Sequence, residues 1–288
     1  MDPQRIDVAG TDGLGLIAYQ WRNHGTPVVF LHGYAHHGRV WDAVIPHLAE
    51  TFRPIALDLR GHGDSDRAPA ASGYTIQSYA DDLGAMLSAL DIPHAALVGH
   101  SMGGSIALRH AADPRAQTSS LTLVDCGPPE SSEGTRKAIR DTERSPQRVG
   151  SPAEYLRAIG ASYPLTDPEL LREFAEHSLR AGEDGWFAEK FDPALKQARP
   201  TQPSGPHQER FYLDLARVRA HTLVARGIGS AILSRDAAQA MTDRHLILGR
   251  MVEIRGAGHT VPLDNPSGLG REIDIFLSKH SRTPEPRR

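Results

Sequence analysis

Ala95-Ala96-Leu97-Val98-Gly99-His100-Ser101-Met102-Gly103-Gly104-Ser105-Ile106-Ala107-Leu108-Arg109-His110-Ala111 is the stretch that decides the fold. Residues 95–98 form a short continuous apolar run, as in a strand buried on both faces. Residues 104–111 carry apolar side chains at helical spacing. Between them stands G-x-S-x-G, with small residues where a strand and a helix must approach closely. That context puts Ser101 on a strained turn and makes it a candidate nucleophile. Met102 opens the helix, so its N–H faces a place where a developing negative oxygen can be held. The competing reading of the same string is a glycine-rich turn with a structural role.

The alternation of strand and helix extends in both directions. Residues 5–10 and 14–21 read as two strands joined through Thr11-Asp12-Gly13. Pro27-Val28-Val29-Phe30-Leu31 reads as a buried strand and residues 40–51 as a helix. Pro54-Ile55-Ala56-Leu57-Asp58 reads as a strand ending in the glycine turn Arg60-Gly61-His62-Gly63. Residues 75–90 form an amphipathic helical pattern, with Ile76, Tyr79, Leu83, Met86, Leu87 and Leu90 on one face. Leu121-Thr122-Leu123-Val124-Asp125 is the strand that follows the serine helix. Such alternation predicts a mainly parallel sheet covered by helices on both faces.

From about residue 128 to residue 220 the rhythm stops. Residues 154–161 and 168–179 read as helices, no buried strand is evident, and the Pro-rich residues 199–206 read as a hinge. Alternation resumes at His221-Thr222-Leu223-Val224-Ala225-Arg226-Gly227 and ends with Met251-Val252-Glu253-Ile254 and a helix over residues 270–279. The chain therefore divides into a core at residues 1–128 and 207–280 and a helical insertion at residues 129–206. A polar tail at residues 281–288 is expected to be disordered.

Composition narrows the function. A chain of 288 residues can bury a large core. A net charge of −3, from 32 basic and 35 acidic residues, argues against a general nucleic-acid binder. No run approaches the roughly 18 apolar residues of a membrane span, and the N-terminus lacks the apolar core of a signal peptide. The expectation is a cytoplasmic protein whose partner is a small-molecule substrate, with neither nucleic acid nor membrane involved. The single cysteine, Cys126, rules out an internal disulfide and a cysteine-based metal cluster. His36 and His37 are adjacent, but two histidines without further ligands are not a metal site, and they are expected as solvated loop residues. No metal or organic cofactor is implied, and nothing fixes an oligomeric state.

Four landmarks occur in order: His32-Gly33 after the third strand, Asp58-Leu59-Arg60-Gly61-His62-Gly63-Asp64-Ser65, the serine turn itself, and Gly256-Ala257-Gly258-His259 after the last strand. In these residues the chain resembles the α/β-hydrolase superfamily over nearly the whole core. The resemblance implies an eight-stranded, mainly parallel sheet, with the insertion after the sixth strand forming a helical cap over the active site. It also implies that Ser101 is deprotonated by a histidine late in the chain. Of the 15 histidines, position and flanking glycines single out His259. By the same resemblance the N–H of Tyr34, after His32-Gly33, joins that of Met102 in an oxyanion hole.

The acid departs from the family pattern. Most relatives carry an Asp in the loop after the seventh strand, a few residues beyond a glycine. Here that loop reads Gly227-Ile228-Gly229-Ser230-Ala231, and Ala231 stands at the usual place. Three possibilities are open. Asp125 ends the sixth strand, where some family members carry their acid, and a strand spacing of about 4.8 Å lets a carboxylate one strand over reach the same histidine. Asp236 is the second candidate and also reads as the cap of a helix over residues 236–241. The third possibility is no acid, with Asp125 serving structure.

The activity implied first is cleavage of an ester, lactone, thioester or activated C–C bond through an acyl-enzyme. A Ser–His pair without its acid suits a non-hydrolytic catalyst of cofactor-free oxygenation, cyclisation or elimination, and a ligand-binding pseudo-enzyme is the third class. Serine at the turn argues against haloalkane dehalogenase or epoxide hydrolase chemistry, which needs Asp there. Other residues read as structure. Asp81 and Asp82 face solvent or cap a neighbouring loop, Cys126 packs beside a strand, and Asp192-Pro193 forms a turn. Trp41 and Trp186 are packed aromatics or line a cavity.

Overall fold

A computed structural model describes residues 2–129, 133–198 and 205–281 of the chain. The tail expected beyond residue 281, and residues 199–204 of the expected hinge, lie outside the described residues. The strands are β1 (Gln4–Ala9), β2 (Gly15–Gln20), β3 (Thr26–Leu31), β4 (Phe52–Asp58), β5 (Ala95–His100), β6 (Thr118–Val124), β7 (Arg148–Val149), β8 (Leu179–Ala181), β9 (Phe187–Glu189), β10 (His221–Gly227) and β11 (Gly249–Ile254). The helices are α1 (Ile76–Ala89), α2 (Met102–Ala111), α3 (Glu133–Arg144), α4 (Pro152–Ile159), α5 (Pro168–His177), α6 (Ala194–Ala198), α7 (Gly205–Arg217), α8 (Arg235–Ala240), α9 (Val261–Asp264) and α10 (Pro266–His280).

Eight strands form one sheet in the order β1-β2-β4-β3-β5-β6-β10-β11. The β1–β2 and β2–β4 pairs are antiparallel, and the other five pairs are parallel. The apolar runs explain the layering. Side chains alternate across the sheet, so Val29, Leu31, Ile55, Leu57 and Leu97 share one core with Tyr79, Leu83 and Met86 of α1 and Ile106 of α2. Val28, Phe30, Ala56, Ala96 and Val98 point the other way, towards Trp41, Ile45 and the α10 residues Leu269, Ile273 and Leu277. Thr75 caps α1 by accepting the Ser78 N–H at 3.0 Å.

Several expectations need correction. Residues 40–51 do not form a helix; the chain makes 3₁₀ turns at Gly38–Trp41 and Ile45–His47. Pro46 is the reason, since inside an α-helix it lacks the N–H to donate backwards and its ring clashes with the preceding turn. Asp82 is buried, and of the two roles expected for it the capping of a neighbouring loop is the one it takes rather than the solvent-facing one. It accepts the Thr11 N–H and hydroxyl, each at 2.9 Å, and takes both ends of the Arg60 fork at 2.6 and 2.8 Å. Trp41 is fully buried against Phe30, whereas Trp186 is exposed, with the Arg148 guanidinium over its ring. Cys126 is packed, and burial pushes its thiol up to about 12.

Between β6 and β10 lie α3 to α7 and a separate antiparallel sheet, β7-β9-β8, whose strands of two or three residues are too short to leave a pattern in sequence. This region is stitched to the rest of the molecule by polar contacts. His37 Nε2 donates to the Phe174 carbonyl at 3.2 Å, Lys190 pairs with Asp64 at 2.9 Å, and the Tyr74 hydroxyl donates to Asp192. α7 packs on α2, where Arg109 pairs with Asp214 at 2.6 Å. Among the described residues, no helix is long and apolar enough to cross a membrane.

Candidate active site

The turn between β5 and α2 is as tight as G-x-S-x-G requires. A methyl group on Gly99 would stand 2.3 Å from the Gly103 carbonyl oxygen, and one on Gly103 would stand 2.3 Å from that of Leu31. Neither position accepts a side chain without separating strand from helix. Ser101 pays the conformational cost, with φ 52° and ψ −116°, a region unfavourable for any L-residue by about 1–3 kcal/mol. Its N–H donates to the Val124 carbonyl at 3.0 Å, which fixes the turn to the end of β6. The hydroxyl is thereby raised above the C-terminal edge of the parallel strands.

His259 arrives from the loop between β11 and α9. Two contacts hold that loop: Gly258 N–H donates to Asp264 at 2.9 Å, and His100 Nε2 donates to the His259 carbonyl at 2.8 Å. The imidazole then bridges the other two groups. Nδ1 donates to Asp125 Oδ2 at 2.7 Å, which leaves Nε2 with a free lone pair to accept from Ser101 Oγ at 3.1 Å. Asp125, immediately after β6, also has a left-handed backbone, with φ 44°. Its fully buried carboxylate receives the Gly227 N–H on Oδ1 at 3.0 Å and the Ser230 hydroxyl on Oδ2 at 2.6 Å.

Of the two carboxylates considered from sequence, Asp125 is the one that meets His259. Asp236 lies exposed in the first turn of α8, and Ser234 caps that helix by accepting the Ala237 N–H at 3.1 Å. The expected capping role of Asp236 is therefore corrected. Ser230 escaped the sequence reading; a serine in a surface loop carries no local signal that it faces a carboxylate on the next strand.

The two amides expected to face an oxyanion belong to segments that meet at Ser101. Met102 is the first residue of α2, where N–H groups have no acceptor within the helix. The segment leading to Tyr34 is close by, since a methyl on Gly33 would stand 3.5 Å from Ser101 Cβ. His32 braces this segment. Its Nδ1 donates to the Gly33 carbonyl at 2.7 Å and its Nε2 accepts the Leu59 N–H at 3.0 Å.

His36 and His37 are buried rather than solvated, which corrects the expectation for them. His36 stacks on His100 at 5.7 Å and meets the Tyr163 hydroxyl at 3.3 Å, while His37 stacks on Phe174 at 4.8 Å. Tyr34 and His62 both pack edge-on against Phe191. Burial holds these imidazoles neutral: His36 lies well below the usual value, His37 and His100 fall to about 3, and His62 to about 4. The described residues contain no group of three or more His, Cys, Asp or Glu side chains placed to hold a metal ion.

Comparison with known proteins agrees with this architecture. The family model described as "alpha/beta hydrolase fold" matches residues 26–151. A non-heme chloroperoxidase of Kitasatospora aureofaciens is 36% identical over 283 residues, covering 93% of this chain and 98% of that protein. A 3-hydroxybutyrate-oligomer hydrolase of Cupriavidus necator is 28% identical over 284 residues, covering 92% and 94%. Among solved structures, an esterase of Mycobacterium tuberculosis superposes with a TM-score of 0.78 at 24% identity, covering 96% of this chain and 91% of that one. That last likeness speaks to the fold alone. The sheet order, the serine turn and the near full-length similarity to the chloroperoxidase converge on one conclusion: this chain belongs to the α/β-hydrolase fold family.

Proposed function

We propose that the protein is a serine hydrolase that cleaves an uncharged ester or related acyl compound through an acyl-enzyme. The observation that carries this reading is the unbroken hydrogen-bonded chain from Ser101 Oγ through His259 to Asp125. His259 Nε2 takes the Ser101 proton as Oγ attacks the acyl carbon, and Asp125 stabilises the imidazolium that forms. The N–H groups of Tyr34 and Met102 hold the oxyanion. Collapse of the tetrahedral intermediate expels the leaving group, which takes the proton from Nε2. Water, deprotonated by the same nitrogen, then releases the acid and restores Ser101.

The reading of a non-hydrolytic catalyst starts from a missing acid, and the Asp125–His259 hydrogen bond at 2.7 Å favours the hydrolytic one. The residues between β6 and β10 act as the cap in this proposal, since Tyr163 and Phe174 reach His36, which stacks on His100 next to Ser101. Neutral imidazoles and aromatic rings favour an uncharged acyl group, because an anion there gains no cation in exchange for its hydration. The relative named 3-hydroxybutyrate-oligomer hydrolase fits this class of reaction. The test is a pair of chromogenic esters, p-nitrophenyl butyrate and its analogue with a terminal carboxylate on the acyl chain. Expected is a kcat/KM about tenfold or more in favour of the uncharged ester, with both activities lost in Ser101→Ala. Turnover that survives Ser101→Ala contradicts the serine mechanism, and a preference for the carboxylate contradicts the substrate class.

A further inference from the structure

We infer that Ser230 is a positioning residue for the acid of this site. The loop after β10, which in most α/β hydrolases carries the carboxylate, here supplies a hydroxyl that aims a carboxylate on the neighbouring strand. The inference rests on the hydrolase reading only in what it says about turnover.

The hydrogen-bond inventory around Ser230 leaves its proton one direction. Ser230 Oγ accepts the N–H of Ile232 at 3.2 Å and that of Leu233 at 3.1 Å, so both lone pairs of the hydroxyl are engaged. The O–H then donates to Asp125 Oδ2 at 2.6 Å, the same oxygen that receives His259 Nδ1. Gly227 N–H occupies Oδ1 at 3.0 Å. The carboxylate is thus held from two sides by one loop, and rotation about its Cβ–Cγ bond breaks at least two of these bonds.

The loop is itself clamped. Arg226 sends its guanidinium back along the chain, donating to the carbonyls of Leu233 at 2.7 Å, Ile228 at 3.2 Å and Ser230 at 3.4 Å. Glu253 of the neighbouring β11 pairs with the same guanidinium at 3.0 Å. These bonds fix where Ser230 stands relative to the end of β6. Its neighbour Ala231, at the usual acid position, has no carboxylate to offer, so the loop contributes to the acid's geometry rather than to its charge.

The function of the contact is twofold. It selects the carboxylate rotamer that faces Nδ1, and it takes part of the negative charge off Oδ2. Ser230→Ala therefore does two separable things. It lowers kcat, with KM little changed, by about tenfold to a hundredfold, the worth of one hydrogen bond to a charged group. It also raises the pKa of His259, because the carboxylate charge left behind interacts more strongly with the imidazolium. Ser230→Thr keeps the hydroxyl and restores both properties.

The decisive experiment is a double-mutant cycle of Ser230→Ala and Asp125→Asn on the full chain. Two readouts are taken: kcat on p-nitrophenyl butyrate, and the His259 titration followed by NMR on histidine-labelled protein, assigned with His259→Gln. If Ser230 acts through Asp125, adding Ser230→Ala to Asp125→Asn changes kcat by less than about threefold and leaves His259 where Asp125→Asn put it. If Ser230→Ala costs the same factor in both backgrounds, or leaves the wild-type titration unmoved while Ser230→Thr fails like Ala, the residue merely shapes the loop and the inference falls. The titration needs no turnover. A protein that hydrolyses no ester but still shows the coupled shift refutes the hydrolase reading and leaves this inference standing.

Discussion

Asp125 can face His259 because its own backbone turns the wrong way. A β-strand continuing past Val124 would point the next side chain along the sheet's alternation, but φ 44° at Asp125 swings the carboxylate over the end of β10. Left-handed backbone at a non-glycine residue is unfavourable and persists where surrounding bonds over-determine it. Here the Asp125 N–H donates to the Ala225 carbonyl at 2.7 Å, and three donors fix the side chain. Asp125→Asn keeps the shape but presents an amide to Nδ1, which favours the wrong tautomer of His259. The expected loss in kcat is on the order of 10³–10⁴-fold, as for the acid of a serine protease triad. A loss below about tenfold by steady-state kinetics removes Asp125 from the mechanism. Ser101 and His259 were legible in the sequence because their signals are local, glycines pressed around one residue in a short turn. Asp125 was legible only as one of three options, since its contact with His259 depends on a neighbouring strand. The burial of His36 and His37 was not legible, because Tyr163 and Phe174, more than a hundred positions away in sequence, cover them.

At the scale of elements, the loop after β4 shows how a buried ion pair organises several segments. Arg60 and Asp82 are each only 1% exposed in their side chains. Their pair joins that loop to α1, and the remaining Asp82 capacity takes the N–H and hydroxyl of Thr11, the link between β1 and β2. Arg60 also donates to the Gly73 carbonyl and the Thr11 hydroxyl. Asp82→Ala leaves the buried Arg60 charge with only the exposed Asp12 carboxylate at 3.2 Å, so it is expected to destabilise the fold by about 3 kcal/mol. Urea denaturation measures this, and kcat per folded molecule is expected to stay within a factor of about two, because neither side chain of the pair bonds to Ser101, His259 or Asp125. A destabilisation below about 1 kcal/mol would show that the network relaxes around the loss. The amphipathic pattern of α1 and the apolar run Leu223-Val224-Ala225 of β10 were readable. The error at residues 40–51 came from weighing hydrophobic spacing above Pro46, and β7 to β9 are too short for periodicity to register.

Across the whole molecule, the neutral histidines couple stability to pH. His37 and His100 titrate near 3 and His62 near 4 in the fold, against about 6.5 in the unfolded chain, and His32 and His36 are also well below that value. Below pH 6.5 the unfolded state binds protons that the folded state refuses, so stability falls as pH drops from 6.5 towards those folded values. Burial raises Asp42 and Asp58 to about 6, which works in the opposite sense between about 6 and 3.8 and offsets part of the loss. The net expectation is a Tm lower at pH 5.5 than at pH 7.5 by about 5 °C or more, and a flat profile would show that the imidazoles take up protons in the fold as readily as in the unfolded chain. The overall architecture was legible because strand–helix alternation constrains topology strongly, whereas how the residues between β6 and β10 pack on the rest of the molecule depends on contacts distant in sequence. The central claim, that Ser101 is a nucleophile activated by His259, is tested most directly by covalent capture. The folded protein is mixed with a fluorophosphonate and the adduct is located by peptide mass spectrometry. One adduct on Ser101, formed rapidly in the native chain and at least about a hundredfold more slowly in His259→Ala, is the predicted result; a folded protein that stays unlabelled, or is labelled at the same rate without His259, contradicts it.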